Sequence, residues 1–134
     1  MTLEHINPKV LYQSLPMGYS HAMRSERRVT IHCSGQIAWD ENNVLVGEGD
    51  VGMQAKQALT NLAIVLKTAG ASVSDIVQLR TYVVNHNPAL LEPIGQAISE
   101  FYGDLTPAAN TLIGVQALAL PEFLIEIEAV AMVE

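Results

Sequence analysis

Residues 50–70, DVGMQAKQALTNLAIVLKTAG, decide the fold of this chain because they form its clearest helical pattern. Asp50 is suited to the N-cap of this helix and Gly70 to its C-terminal end. Apolar side chains recur at steps of three and four residues and share one stripe: Ala55, Ala58, Leu59, Leu62, Leu66 and Ala69. Since only one side of the helix is apolar, it must cover one face of another element.

The sequence on both sides of this helix predicts strands and one further helix. The second helix opens at Asn87-Pro88, and Pro93 falls near its first turn, where a missing N–H matters least. Apolar, β-branched or alternating runs predict six strands: 9–14, 19–24, 28–35, 76–84, 110–117 and 123–133. The short connection 25–27 predicts a hairpin between the second and third of them. The order is βββαβαββ, which predicts an α+β fold with both helices on one face of a mixed sheet.

Composition indicates one small, unusually apolar domain. With 134 residues, the chain 1–134 has the size of a single domain with one core. Hydrophobic residues make up 49% and charged residues 16%, and the mean hydropathy is +0.23. Spare apolar surface on a domain this small usually lies in a subunit interface. We therefore expect a homo-oligomer in which other copies cover the free face of the sheet.

Charge and hydropathy narrow the choice of partners. The net charge of −7 and the pI near 4.9 disfavour nucleic-acid binding, which needs clustered Lys and Arg. The basic cluster of Arg24, Arg27 and Arg28 is more typical of a solvated hairpin tip. No apolar run reaches the about 18 residues of a membrane span, and the N-terminus does not resemble a signal peptide. We expect a cytoplasmic protein that binds neither nucleic acid nor membranes.

Cysteine and histidine positions give little support to metal binding. Cys33 is the single cysteine, which excludes an internal disulfide and a multi-cysteine zinc site. It lies in an apolar, β-rich run, so we predict a small buried side chain rather than a nucleophile. The four histidines show no spacing typical of a zinc site. We expect no metal.

The run Ile125-Glu126-Ile127-Glu128-Ala129 places two carboxylates on one face of a strand. A sheet face turned to water produces this pattern, and so does a carboxylate in a subunit cleft. The residues alone leave both interpretations open.

Several segments, taken in order, resemble the Rid family of reactive intermediate deaminases, also called YjgF or L-PSP endoribonuclease-like proteins. They are Gly18–Ala22, Ser34–Ile37, the helix around 54–62, Ala69–Ser72 with 75–77, Pro107-Ala108, and 125–129. The resemblance covers about residues 11–134. It implies a homotrimer of chorismate-mutase-like protomers with ligand pockets in the clefts between neighbours.

The resemblance also implies an activity. Deaminases of this family hydrolyse 2-imino acids or enamines to 2-oxo acids and ammonia, with no metal or organic cofactor. Such a site needs a group that holds the substrate carboxylate, which a bidentate arginine does best. It also needs a group that orients water against the imine carbon, which a carboxylate can do.

Roles are implied for individual residues by their match to the family pattern. Glu126 matches the catalytic, water-orienting glutamate. The matching substrate-binding positions are Tyr19, the turn Ser34-Gly35-Gln36, and Ala109, Asn110 and Thr111 on one strand. Ala109 stands where the family usually has its arginine. Purely structural roles stay open for some of these residues. Tyr19 can anchor the start of a strand, and Ser34-Gly35-Gln36 can be a bend at a strand end.

The alanine at position 109 supplies no charge for a substrate carboxylate. Gln36, Asn110, Thr111 or Arg80 can compensate, and of these only Arg80 is charged. Three hypotheses follow: an enzyme acting on another small imine, enamine or related metabolite; a non-catalytic, metabolite-binding trimer; and a structural or chaperone-like trimer. The segment 116–121 is longer than in the shorter form of the family and is expected to alter the mouth of the cleft. The net charge of −7 disfavours ribonuclease activity.

Overall fold

The computed structural model describes residues 2–134 and has the predicted α+β order, βββαβαββ. Its strands are β1 (Leu3–Ile6), β2 (Ala22–Ser25), β3 (Val29–Gln36), β4 (Ile76–Val84), β5 (Ala109–Val115) and β6 (Ile125–Val133). Its α-helices are α1 (Val51–Thr68) and α2 (Leu91–Tyr102). Short 3₁₀ turns lie at Leu15–Met17, Val73–Asp75 and Pro88–Leu90.

Four strands form a mixed sheet in the order β3-β6-β4-β5. Strand β6 is antiparallel to both of its neighbours, whereas β4 and β5 are parallel. Helix α2 lies in the connection between β4 and β5, because parallel neighbours need a long crossover. Helix α1 contacts α2, β3 and β6, and both helices pack on one face of this sheet. The prediction of two helices on a mixed sheet is confirmed.

Both helices begin as the sequence indicates. The Asp50 carboxylate accepts a hydrogen bond from Met53 N at 3.0 Å and caps α1. The predicted apolar stripe of α1 is buried except for Ala69, which is exposed because the helix ends at Thr68. Asn87 caps the turn before α2, and Pro93 is the third residue of that helix, where it costs no helical hydrogen bond.

The strands of this sheet are buried on one face only. Along β6, Ile125, Ile127 and Ala129 are buried against the helices, whereas Glu126 and Glu128 are half-exposed on the opposite side. The prediction that the two carboxylates share one face is confirmed. The side of the sheet that neither helix covers is called the open face below.

The prediction of the first strand is wrong. Residues 9–14 form no strand, and Val10 is 93% exposed. The strand lies earlier, at β1, which pairs with β2 from Leu3↔Ser25 to Ile6↔Ala22. A turn follows β1, in which Leu11 N donates a hydrogen bond to Pro8 O. Residues 9–14 pair with no neighbouring strand. Strand propensity alone does not form a strand where no ladder is available.

The prediction of a hairpin between the second and third strands is also wrong. The prediction that all strands form one sheet is wrong as well. Strand β2 pairs with β1 in a separate two-stranded sheet, whereas β3 pairs with β6. Arg27 explains the break, since its Nη1 donates to Asp75 Oδ1 at 2.5 Å and to Met132 O at 3.0 Å. The connection is thus attached to the end of β6. Arg24 and Arg28 are exposed as predicted, and Arg27 is not.

A buried glutamine joins α1 to the segment that leads into β6. Gln54 is fully buried, and its Nε2 donates to Gly47 O at 3.1 Å and to Glu122 O at 3.0 Å. Its Oε1 accepts from Leu124 N at 2.9 Å. All of its amide bonds therefore satisfy backbone groups outside the helix, which fixes the start of β6 against α1.

We expect Gln54→Leu to lower the free energy of unfolding by about 2–4 kcal/mol, because three backbone groups lose their partner in the interior. Guanidinium unfolding followed by Trp39 fluorescence at one fixed protein concentration measures this. The control is Gln96→Leu on the exposed side of α2, for which we expect a change within about 0.5 kcal/mol. Equal losses in the two variants would contradict the role given to Gln54.

Candidate functional site on the open face

Glu126 lies directly over Gly35 on the open face. A Cβ atom built on Gly35 would clash with the Glu126 carboxylate and would stand 2.7 Å from its Cγ and Cδ. Strand β3 is irregular here, since its register against β6 shifts between Cys33 and Gln36. The glycine therefore lets the carboxylate rest on the backbone of the neighbouring strand.

Two residues of the predicted turn lie beside Glu126 on β3, and the third does not. Ser34 is exposed, and its carbonyl accepts a hydrogen bond from Gln36 Nε2 at 3.2 Å. Gln36 is directly opposite Ile127 of β6, whose side chain is buried under the helices. The structure thus brings Ser34 and Gly35 to Glu126, whereas the register places Gln36 on the helix side.

Strand β4 adds a polar group that was not among the predicted site residues. Tyr82 is the cross-strand partner of Glu126, and Arg80 is the partner of Glu128. The Tyr82 hydroxyl donates a hydrogen bond to Glu128 Oε1. This bond raises the pKa of the Tyr82 phenol, against a smaller lowering by Arg80. Tyr82 stands two residues after Arg80, in a strand whose alternate residues Leu79, Thr81 and Val83 are buried, and this spacing was the signal that could have found it.

The remaining predicted residues lie at the β5 edge. Ala109 is opposite Gln78, and Thr111 is opposite Arg80, so both belong to the open face. Ser20 forms a parallel bridge with Ala109, and its N–H donates to Ala108 O at 2.9 Å. Because Tyr19 immediately precedes Ser20, the structure brings Tyr19 and Ala109 to the same edge.

Tyr19 is held there by a second tyrosine. The Tyr12 and Tyr19 hydroxyl oxygens are 2.6 Å apart, and this hydrogen bond raises the pKa of Tyr19. The His21 ring packs edge-on against both rings, and its Nε2 bonds Tyr12 O at 2.9 Å. The phenol of Tyr19 is therefore a fixed, protonated hydrogen-bonding group.

Asn110 does not join the other predicted residues. The Thr81 hydroxyl, which is fully buried, donates to Asn110 Oδ1 at 3.1 Å. Alternation along β5 turns Asn110 toward the helices and leaves Ala109 and Thr111 on the open face. The structure thus separates Asn110 from Glu126 by the thickness of the sheet.

The two groups of open-face residues are far apart within one protomer. Ala109 is level with Val130 of β6, across two strand spacings, and Glu126 lies four residues further along. Spacings of about 4.8 Å between strands and about 3.3 Å per residue place the two Cα atoms roughly 16 Å apart. A small metabolite cannot contact both groups of a single protomer.

Two concavities of the protomer lie away from these residues. A groove of about 540 Å³ runs between α1 and α2 and is lined by Leu59, Ile64 and Phe101 among others. A smaller one of about 260 Å³ lies beneath Leu15–Met17 and Gly95. Neither is lined by Glu126, Ala109 or Thr111.

Other chemistry on the described chain is limited. Cys33 is 5% exposed, which confirms the predicted burial, and that burial raises the pKa of its thiol. Residues 2–134 contain no group of three or more His, Cys, Asp or Glu arranged to hold a metal ion. Within the same range, neither helix is both long and apolar enough to span a bilayer.

Comparison with known proteins agrees with this architecture. The family model described as Endoribonuclease L-PSP matches residues 13–133. The chain belongs to this family. A RutC family protein of Pyrococcus abyssi is 31% identical over 121 residues, which cover 89% of this chain and 90% of the relative. The family prediction is confirmed.

Two further relatives are informative about structure and chemistry. Human 2-iminobutanoate/2-iminopropanoate deaminase is 33% identical over 115 residues, covering 85% of this chain and 79% of that protein. The crystal structure of YyfB from Yersinia pestis, a protein of unknown function in the conserved Rid family, is 53% identical with a TM-score of 0.96. The match covers 99% of this chain and 100% of the YyfB chain.

We expect Gly35→Ala to lower the free energy of unfolding by about 1–3 kcal/mol, because the added methyl group must displace the Glu126 side chain. In a Glu126→Ala background the same substitution should cost far less, since the clashing atoms are gone. Chemical unfolding of the four proteins in this double-mutant cycle measures the coupling.

The matched control is Gly95→Ala in α2, where an added Cβ meets no atom within 4 Å. Helix propensity predicts unchanged or slightly raised stability for it, by up to about 1 kcal/mol. A Gly35→Ala penalty of the same size with and without Glu126 would show that the carboxylate does not rest on Gly35.

Proposed function

We propose that this Rid-family protein is a homotrimer that binds, and hydrolyses, a small imine, enamine or related metabolite in clefts between neighbouring copies. The observation that carries the proposal is the placement of the matched residues on one uncovered sheet face, in two groups roughly 16 Å apart. The Glu126 group of one copy and the Tyr19–Ala109 group of another can then face the same ligand.

The open face supports the proposed assembly. Val130 and Met132 on β6 are only partly buried there, and Ile113 on β5 is 36% exposed. Apolar side chains of this kind, next to polar ones, are typical of an interface that excludes water only once a second surface covers it. Burial by a neighbouring copy would also enclose Glu126, which a single chain leaves at the surface.

The chemistry we propose needs only groups that the face provides. Hydrolysis of an imine adds water to the C=N carbon, forms a C=O bond, breaks the C–N bond and releases ammonia. Glu126 accepts a hydrogen bond from the attacking water, takes up its proton and passes it to the leaving nitrogen, so that the carboxylate is regenerated when ammonia departs. Tyr19, Thr111 and the backbone of the Ser34-Gly35-Gln36 turn line the cleft and hold the ligand.

Ala109 makes a standard 2-imino-acid deaminase the weaker proposal. The human relative is named for 2-iminobutanoate and 2-iminopropanoate, both of which carry a carboxylate. A hydrogen bond to such a charged group contributes about 1.5–3 kcal/mol, and a methyl side chain at position 109 cannot supply it. We therefore propose a ligand whose end near Ala109 is not a carboxylate.

The alternative function is a non-catalytic trimer that binds metabolites in the same clefts, or one with a structural, chaperone-like role. The missing arginine favours this alternative, because binding can persist where turnover is lost. Glu126→Gln distinguishes the two, since an enzyme should lose turnover and keep ligand binding, whereas a binder has no turnover to lose.

We expect wild-type protein to release ammonia from freshly generated 2-iminopropanoate at least about tenfold less efficiently than Ala109→Arg, because the variant regains a cation for the carboxylate. Stopped-flow measurement of imine decay, corrected for the uncatalysed rate, gives the two values of kcat/KM. Ala69→Arg, which adds the same charge at an exposed position after α1 and away from the open face, is the control and should match wild type.

Light scattering on the same samples reports the assembly, for which we expect the mass of three chains. Equal efficiency of wild type and Ala109→Arg would refute the importance given to the missing arginine. A monomeric wild-type protein would refute the cleft between copies.

A further inference from the structure

Arg80 is an exposed cation in the middle of the open face. Its cross-strand neighbours are Glu128 on β6 and Thr111 on β5. Thr111 is one of the residues matched to the family's pocket. Ala109 lies two residues before it on β5 and on the same face. The cation therefore stands about one strand spacing, roughly 4.8 Å, from the strand that lacks the arginine.

Arg80 does not form the ion pair that its position favours. Opposite charges directly across two strands normally attract, and Arg80 faces Glu128. Nevertheless, among residues 2–134 no carboxylate oxygen comes within 4.0 Å of the Arg80 guanidinium, whereas Arg24 pairs with Glu26 and Arg27 with Asp75. The Tyr82 hydroxyl lies between the two charged groups: it donates a hydrogen bond to the Glu128 carboxylate, and the Arg80 side chain is close enough to lower the pKa of the same phenol.

We propose that Arg80 is the anion-binding residue of this site and that it selects small metabolites carrying a carboxylate. The inference rests on the function proposed above and adds the location of the ligand's acid group. That group lies over β4, beside Thr111, and not at Ala109. Tyr82 is a positioning residue, because its hydroxyl lies between Glu128 and Arg80 and keeps the two charged groups from pairing directly.

The geometry suits this role. A guanidinium offers a planar fork of N–H donors that matches a carboxylate, and the Thr111 hydroxyl on the adjacent strand can donate a further bond. The small Ala109 side chain leaves room beside them. A shift of the cation from β5 to β4 moves the acid group by about 4.8 Å across the open face.

The Glu128 carboxylate is the natural competitor for Arg80, and this makes Tyr82 decisive. Removal of the Tyr82 hydroxyl frees Glu128 to pair with the guanidinium across the strands. An anionic ligand would then have to displace an internal carboxylate. Removal of the Glu128 charge in the same protein should make Arg80 available again.

The test uses two probes of nearly equal shape, pyruvate and its uncharged amide, pyruvamide. Calorimetric titration of the assembled full-length protein measures the Kd of each. We expect wild type to bind pyruvate more tightly than pyruvamide. Arg80→Gln should weaken pyruvate binding about tenfold or more, and should leave pyruvamide within about twofold.

Three further variants control this result. Arg28→Gln removes an exposed arginine outside the site and should bind pyruvate as wild type does. Tyr82→Phe should weaken pyruvate binding several-fold, and Tyr82→Phe with Glu128→Gln should restore it. A merely structural role for Tyr82 predicts no such restoration. Light scattering on each variant shows whether the assembly is retained.

The outcomes are distinct. Unchanged pyruvate affinity in Arg80→Gln, or an equal loss for pyruvate and pyruvamide, overturns the inference on Arg80 and leaves the proposed cleft standing. No restoration in the Tyr82→Phe, Glu128→Gln protein overturns the role of Tyr82. Absence of saturable binding of either probe to wild type overturns the inference as well. Failure of the proposed function is seen separately, in the imine assay and the mass of the assembly.

Discussion

The two-residue alternation along β6 is the constraint on which the rest of the structure depends. Strand β6 is central in the sheet, bonded to β3 on one side and to β4 on the other, and its odd-numbered residues from Ile125 to Ala131 fill the core under both helices. A register slip of one residue would bury both glutamates and expose every one of those apolar side chains. Packing of the core therefore also fixes the position of the carboxylates, and the site takes its geometry from the hydrophobic effect.

The same constraint explains why a glycine and a glutamine matter so much. Gly35 gives the Glu126 side chain a place to rest on β3, where any larger residue would collide with it. Gln54 holds the backbone just before β6 by three hydrogen bonds, so the strand enters the sheet in one register. One residue acts on the open face and the other beneath the sheet, yet both fix where Glu126 lies.

Patterns within single elements could be predicted from the sequence, and pairings between distant elements could not. The stripe of α1, the cap at Asp50 and the shared face of Glu126 and Glu128 all follow from local periodicity. Two predictions failed because they concern pairings: the first strand is β1 and not residues 9–14, and β2 does not pair with β3. Such pairings depend on distant contacts, for example that of Arg27 with Asp75, 48 residues away. Asn110 fails to join the site for a simple reason: the resemblance matched three consecutive residues, whereas a strand turns every second one to the opposite face.

The charges on the open face bear on how a protein with Ala109 can still have a functional site. The chain has only seven Lys and Arg residues, and Arg80 is on the face where another copy would exclude water. An uncompensated guanidinium buried at an interface costs several kcal/mol, so it must face an anion there. Glu128 supplies part of this negative charge from the opposite strand, with one of its oxygens held by the Tyr82 hydroxyl. An acidic ligand is the further anion that we propose for Arg80. Under this proposal, the alanine at position 109 on β5 and the arginine at position 80 on β4 are two parts of a single change in the position of the ligand.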